Sequence, residues 1–371
     1  MNKMLILYFL LCTTLLFSQT NHEFNITLDI NYRSAEKMFD VYEKRWGNTS
    51  ELVALRGNQI AYSTSAMIEE QHTNPAHAFT DNLQQFISGK FIENDYFQLQ
   101  KAKEQLPEMR ALLDEIRKRN FSRKVVATIE QLFPKQTKMN VVIPVYVVAF
   151  GTEKVDAFVR RITWENDVPH FVGEGEGELT IVINLSAAVE LEDNLETQFI
   201  GTLSTVAHEV FHVAFGFYQD NSKRWKKFHR EHNTPADELF ELVQNEGIAY
   251  HFSIEQRIGG NLPREWGEKT REAMKIFIAN ADEILSMQPS DSRAYDIIRR
   301  ANTSGFWENY GSISGMFMAR AIEKNLGRKA LTATIAKGVY DFFKKYDEAS
   351  QRDKNLPMLS EKIKRKIFEE N

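Results

Sequence analysis

Cysteine is nearly absent from this chain. Its one cysteine in 371 residues, Cys12, lies in the opening segment MNKMLILYFLLCTTLLFSQT. The remainder therefore has no disulfide framework and no thiolate metal site, and its stability must come from packing. Long hydrophobic runs are missing as well: after the opening segment nothing approaches the roughly 20 apolar residues that a helix needs to cross a bilayer. Neither sign of charge dominates. The 46 basic and 51 acidic side chains are interspersed and the formal net charge is -5, which argues against the basic stripe of a nucleic-acid binder. Internal repeats and low-complexity tracts are also lacking. What remains, 43% hydrophobic and 26% charged, is globular composition with apolar material for one large core or two moderate ones.

The opening segment reads as a signal peptide over residues 1–18: Lys3, an apolar run from Met4 to Phe17, then small and polar residues. The expected product is an exported protein, periplasmic or secreted, with no membrane-spanning helix after cleavage. Lipid anchoring through Cys12 is not expected, because Leu11 stands where a lipobox wants a small side chain. Asn-x-Ser/Thr sequons occur at Asn25, Asn48, Asn120, Asn184 and Asn302, and they matter only where the source glycosylates them.

The chain then divides by texture. Residues 19–135 form a helical N-terminal region, with apolar residues at spacings of three and four in EKMFDVYEKR and EMRALLDEIRKRNFSRKVVATIEQLF, until Pro134 breaks the pattern. Residues 136–217 carry a small sheet and the helix that follows it. MNVVIPVYVVAFG (139–151) and LTIVINLS (179–186) are strands, with a weaker extended stretch at RRITW and an acidic loop, GEGEGE, from Gly173 to Glu178. A helix from about Leu195 to Phe215 is expected to stop at Gly216. Residues 218–371 are helical again. Thr234 as N-cap, Pro235 in the first turn and Asp237 near the third position open a helix through QNEGIAYHF toward Gly259, and GSISGMFMARAIEKNLG is another. The fold class is α+β, mainly helical, with a small mixed sheet beside the helix of residues 195–215 and a helical C-terminal region.

The chemistry concentrates in TVAHEVFHVAF, residues 205–215. His208 and His212 are four apart, so on a helix both rings leave one face and can reach one tetrahedral zinc. Glu209, rotated about 100° from His208, falls beside that point, able to take a proton from an attacking water and return it to a leaving amine. The bland alternative is a core helix that happens to contain these residues. Val206, Ala207, Val210, Phe211, Val213 and Ala214 make the helix apolar almost all round, and two histidines with a carboxylate in that setting are costly without a shared partner.

A catalytic zinc usually takes a third protein ligand. The metzincin pattern fails, because Tyr218 stands where its third histidine would be and Phe215 where its glycine would be. Glu246 in QNEGIAYHF is the choice, set in an apolar stretch with Gly247 and Ala249 small enough for a close approach to the first helix. Glu238 and Glu241 lie in the first turns of that helix, where carboxylates usually face solvent. His229 and His232 sit in a basic link, and His251 lies one turn past Glu246. For the donor to the reaction's oxyanion, Tyr310 is the first choice, beside the Gly311/Gly315 face, with Tyr250 and His251 as alternatives.

HEVFH, the upstream strand TIVINLS and NEGIAYHF downstream together resemble gluzincin-type zinc metallopeptidases. The resemblance is closest to bacterial zinc-dependent peptidases that share H-E-x-x-H followed by E-G-I/L-A. It covers roughly residues 139–340, and its specific part is the two short motifs. It implies one zinc held by His208, His212 and Glu246, with Glu209 as catalytic base, a peptide or protein substrate, and a cleft bordered by strand 179–186, whose edge would pair with an extended substrate. The chain departs from the gluzincin pattern N-E-x-x-S-D, since Ala249 and Tyr250 replace Ser-Asp. The carboxylate that would orient a ligand histidine is therefore unassigned, with Asp237 and Glu238 as residues that could serve. A second reading is a non-catalytic exported binding module with a structural zinc. A di-iron protein would need repeated E-x-x-H pairs, which the sequence lacks.

Overall fold

The computed structural model describes residues 24–369 apart from 44–47, 69–73, 152–155, 174–175, 258, 260–264, 289–291 and 303–306. The expected signal peptide lies outside the described residues, as does part of the GEGEGE loop.

Five strands form one mixed sheet in the order β1-β2-β5-β3-β4: β1 Phe24–Asn31, β2 Met139–Val148, β3 Ala157–Glu165, β4 Val168–Phe171 and β5 Glu178–Asn184. β1, β2 and β5 run parallel, and β3 is antiparallel to both β5 and β4. The first strand is one that the sequence reading did not single out. Its FNITLDIN alternation buries only Ile26 and Leu28, the mark of an edge strand, and it pairs with a partner more than a hundred residues away. Pro144 is tolerated because it pairs opposite Asp29, just before Val145–Val148, where β2 gains its second neighbour, β5. Thr180 through Asn184 are buried at every position, so both faces of β5 are covered. With β2 on one side and β3 on the other, β5 has no open edge. The expected pairing of substrate with strand 179–186 is therefore corrected, the sheet's edges being β1 and β4.

Asn184 ends β5 and caps the short helix Leu185–Leu191 by accepting from Ser186 N at 3.1 Å. Asn194 and Thr197 then close a capping box at the start of the long helix Leu195–Asn221, which packs against β2, β3 and β5. This helix runs through Gly216. A Cβ at Gly216 would meet nothing within 4 Å and its φ is not positive, so the glycine is an interior helical residue and the expected stop does not occur. The helix Pro235–Arg257 opens as its sequence predicts: Thr234 N donates to Asp237 Oδ2 at 3.1 Å and Asp237 N to Thr234 Oγ1 at 3.4 Å.

The smallness of Gly247 serves a different neighbour from the one expected. Its backbone lies against helix Tyr310–Leu326 rather than against helix Leu195–Asn221. A Cβ on Gly247 would stand 2.2 Å from Gly315 C, and one on Gly315 would stand 1.9 Å from Val243 O. Gly311 packs on Ala301 and Leu242 in the same crossing. Among the described residues no helix is long and apolar enough to cross a membrane. These contacts predict opposite outcomes for two glycine substitutions followed by chemical denaturation. Gly315→Ala should cost at least about 3 kcal/mol, because backbone must move. Gly216→Ala should gain about 0.5–1 kcal/mol, since an open helical position loses only backbone freedom of the unfolded chain.

Candidate metal centre and active site

Helix Leu195–Asn221 brings His208 and His212 to one face, with ring centroids 4.6 Å apart, and helix Pro235–Arg257 carries Glu246 to meet them. The two Nε2 atoms are 2.9 Å apart, and Glu246 Oε2 is 3.6 Å from each. A tetrahedral zinc with bonds of about 2.0–2.1 Å has ligand-to-ligand edges of about 3.3 Å, and these three separations straddle that value. His212 Nδ1 donates to Asn245 Oδ1 at 3.0 Å. That bond places the ring proton away from the cluster and leaves Nε2 as a lone pair facing the other two donors. The donor set fits a zinc-sized cation: lone pairs brought to one point, in a nearly closed setting where His208 is 9% exposed.

Electrostatics separates the two carboxylates. Desolvation raises the pKa of Glu246, but the charge that His212 carries when it is protonated and the bonds from His208 and Asn302 outweigh it and bring it to about 2. Glu246 is thus held as an anion. Glu209, half-buried beside the cluster, is pushed up to about 7 by desolvation. The negative charges of Glu246 and Asp156 add to that push, while His212 and Arg160 oppose it. Two carboxylates on neighbouring helices therefore sit on opposite sides of their ordinary range, one suited to ligation and one to proton transfer.

Of the candidate oxyanion donors, the structure brings Tyr250 to the cluster. Its ring meets that of His208 edge-on at 4.7 Å. Desolvation, then the charges of Glu246 and Glu209, raise its phenol far above the ordinary range, so it stays protonated and can donate a hydrogen bond. Tyr310 is engaged elsewhere. Its hydroxyl donates to Ile297 O at 2.8 Å, because the N-terminus of its helix points at helix Ser292–Ala301. His251 is turned to Glu323, with Nε2 2.7 Å from Oε2. It belongs to a network with Glu255, Arg320 and Arg328 in which the two arginines already balance the two carboxylates.

The remaining candidates are placed away from the histidines. Asp237 accepts from Tyr340 Oη at 2.5 Å and pairs with Lys366 at 3.1 Å, tying the helix start to the C-terminal helices. Glu238 is exposed in the first turn. Glu241 faces His229 at 3.1 Å and accepts from Gln219 Nε2, and His232 stacks on Phe228 and meets Tyr340. The residue that orients His212 is Asn245, in place of Asp237 or Glu238. Asn245 adjoins Glu246 in the sequence, and the N-E pair was the available signal: next to a helical ligand, a short amide side chain can turn back onto the first helix.

Zinc content separates this donor set from a chance cluster. Replacing His212 or Glu246 with alanine should reduce bound zinc at equal protein concentration to near background, measured by elemental analysis after dialysis, whereas replacing His229 or Glu241 should leave it unchanged. No curated protein and no solved structure matches the chain. A family model matches residues 49–355, and that span contains both helices that carry the candidate donors, β2 to β5 and helix Tyr310–Leu326. The chain belongs to the family described as "Putative zinc dependent peptidase (DUF5700)".

Proposed function

We propose that this chain is an exported zinc peptidase that hydrolyses peptide bonds at a single metal held by His208, His212 and Glu246. The observation that carries the reading is the convergence of these three donors with Glu209 and Tyr250 at one place, on two helices of a chain in a zinc-peptidase family. When bound, zinc would supply Lewis acidity, making a water more acidic and polarising the substrate carbonyl.

The protein's own groups account for the rest. Glu209 takes a proton from the attacking water and hands it to the departing amine nitrogen. Tyr250 donates its phenolic hydrogen bond to the oxygen on which negative charge develops. Asn245 keeps His212 in the tautomer that offers Nε2. Export is supported by the opening segment with its Lys3 and apolar run from Met4 to Phe17. The alternative of a structural zinc in a binding module calls for a closed set of four protein ligands. Among the described residues the group comprises three, which favours catalysis.

The decisive experiment is a cleavage profile on a peptide library with zinc measured on the same samples. Glu209→Gln should retain zinc and lose hydrolysis by at least about a thousandfold, combining loss of base and acid. Substantial activity in that variant would sink the mechanism. Tyr250→Phe should retain zinc and lose about a hundredfold in kcat, while Tyr310→Phe should leave kcat unchanged. The reverse order would return the donor role to Tyr310.

A further inference from the structure

Two asparagines reach the ligand helix one turn apart. Asn302, directly after helix Ser292–Ala301, donates its amide to Glu246 Oε1 at 2.9 Å. That is the carboxylate oxygen other than the one nearest the histidines. Asn309 donates its amide to the Tyr250 hydroxyl oxygen at 3.3 Å. Glu246 and Tyr250 are four apart on one helix face, so each asparagine addresses one of the two side chains this helix offers to the site.

Asn309 is the telling case. It occupies the N-cap of helix Tyr310–Leu326, where an asparagine normally folds back to accept a first-turn N–H, yet it makes no such bond. Asn48, Asn74, Asn184 and Asn194 do so at their helices; Asn120 does not, but its backbone is left-handed there, whereas that of Asn309 is not. Asn309 is 4% exposed, and its Oδ1 is buried with no hydrogen-bond partner among the described residues. A buried amide oxygen left unpaired costs stability, and so does a forgone cap. Both costs fall on a side chain whose amide is spent on Tyr250.

We infer that Asn302 and Asn309 are positioning residues. Asn302 holds one oxygen of Glu246 so that the other is offered to the metal, and Asn309, by donating to the Tyr250 oxygen, sets the direction in which the phenol presents its own O–H. A hydrogen bond to the outer oxygen of a ligand carboxylate fixes its rotation and is worth metal affinity. A donor locked on the phenol oxygen fixes the direction in which that phenol gives its hydrogen bond. The role of Asn309 rests on the peptidase reading above, and that of Asn302 on zinc binding alone.

The experiment uses variants whose structural and positioning effects differ. Asn302→Ala should raise the zinc dissociation constant at least tenfold in competition with a chromophoric chelator, with the unfolding midpoint of the zinc-free protein unchanged, and Asn302→Ser, which keeps a donor, should recover part of the loss. Aspartate suits a helix N-cap and its dipole at least as well as asparagine, but it has no N–H to give Tyr250 and would instead accept the phenol proton. Asn309→Asp should therefore match or exceed the parent in thermal midpoint and zinc content, while its kcat on a fluorogenic peptide falls at least tenfold with KM within about twofold. Parental zinc affinity in Asn302→Ala, or parental kcat in Asn309→Asp, overturns the inference. A parent protein that binds zinc but cleaves no peptide overturns the peptidase reading and the role of Asn309, and leaves the zinc measurement to decide Asn302.

Discussion

The site depends on a backbone contact that carries no chemistry. Helices Pro235–Arg257 and Tyr310–Leu326 cross so closely at Gly247 and Gly315 that no side chain fits between them. Gly247 is the covalent neighbour of Glu246, so the contact that sets the depth of helix Pro235–Arg257 also sets the position of the Glu246 carboxylate. With that helix pinned from behind, Glu246 and Tyr250 face helix Leu195–Asn221, and Glu246 Oε2 arrives equidistant from the two histidine nitrogens. The glycines give up helix propensity to permit this, and the packed backbone around them offsets the loss.

Around the crossing, polar groups are distributed by need. Donor atoms at the centre point at one another with little solvent, an arrangement that is expensive unless a cation shares them. Farther out, the network of His251, Glu255, Glu323, Arg320 and Arg328 is balanced in itself, and Asp237 is satisfied by Thr234, Tyr340 and Lys366. Those outer groups stabilise helix ends. The inner group is the one whose contacts are completed by chemistry the chain does not itself contain.

How much was legible in the sequence follows from the range of each interaction. The i, i+4 histidines, the buried faces of helix Leu195–Asn221, the capping box at Thr234 and the strands at 139 and 179 are local patterns, and they appear in the structure where the sequence places them. Strand β1 was not foreseen, because its half-polar alternation gains meaning only beside β2, with Phe24 opposite Met139. Gly216 looked like a stop because glycine often ends helices, whereas here the apolar face continues past it. Tyr310 looked like a donor because it adjoins a small-residue face. That face packs on the ligand helix, but the tyrosine at its head turns to Ile297.

What the sequence by itself determined is the mainly helical α+β character and the local patterns that mark the candidate site, H-E-x-x-H at 208–212 and a glutamate on the next long helix, all set by spacing along single elements. Only the tertiary structure decided which phenol enters the site, which amide orients His212, and which sheet edges stay open. Those outcomes depend on crossing distances between elements far apart in the chain, and such distances are fixed by packing at residues like Gly247 and Gly315 rather than by any local pattern.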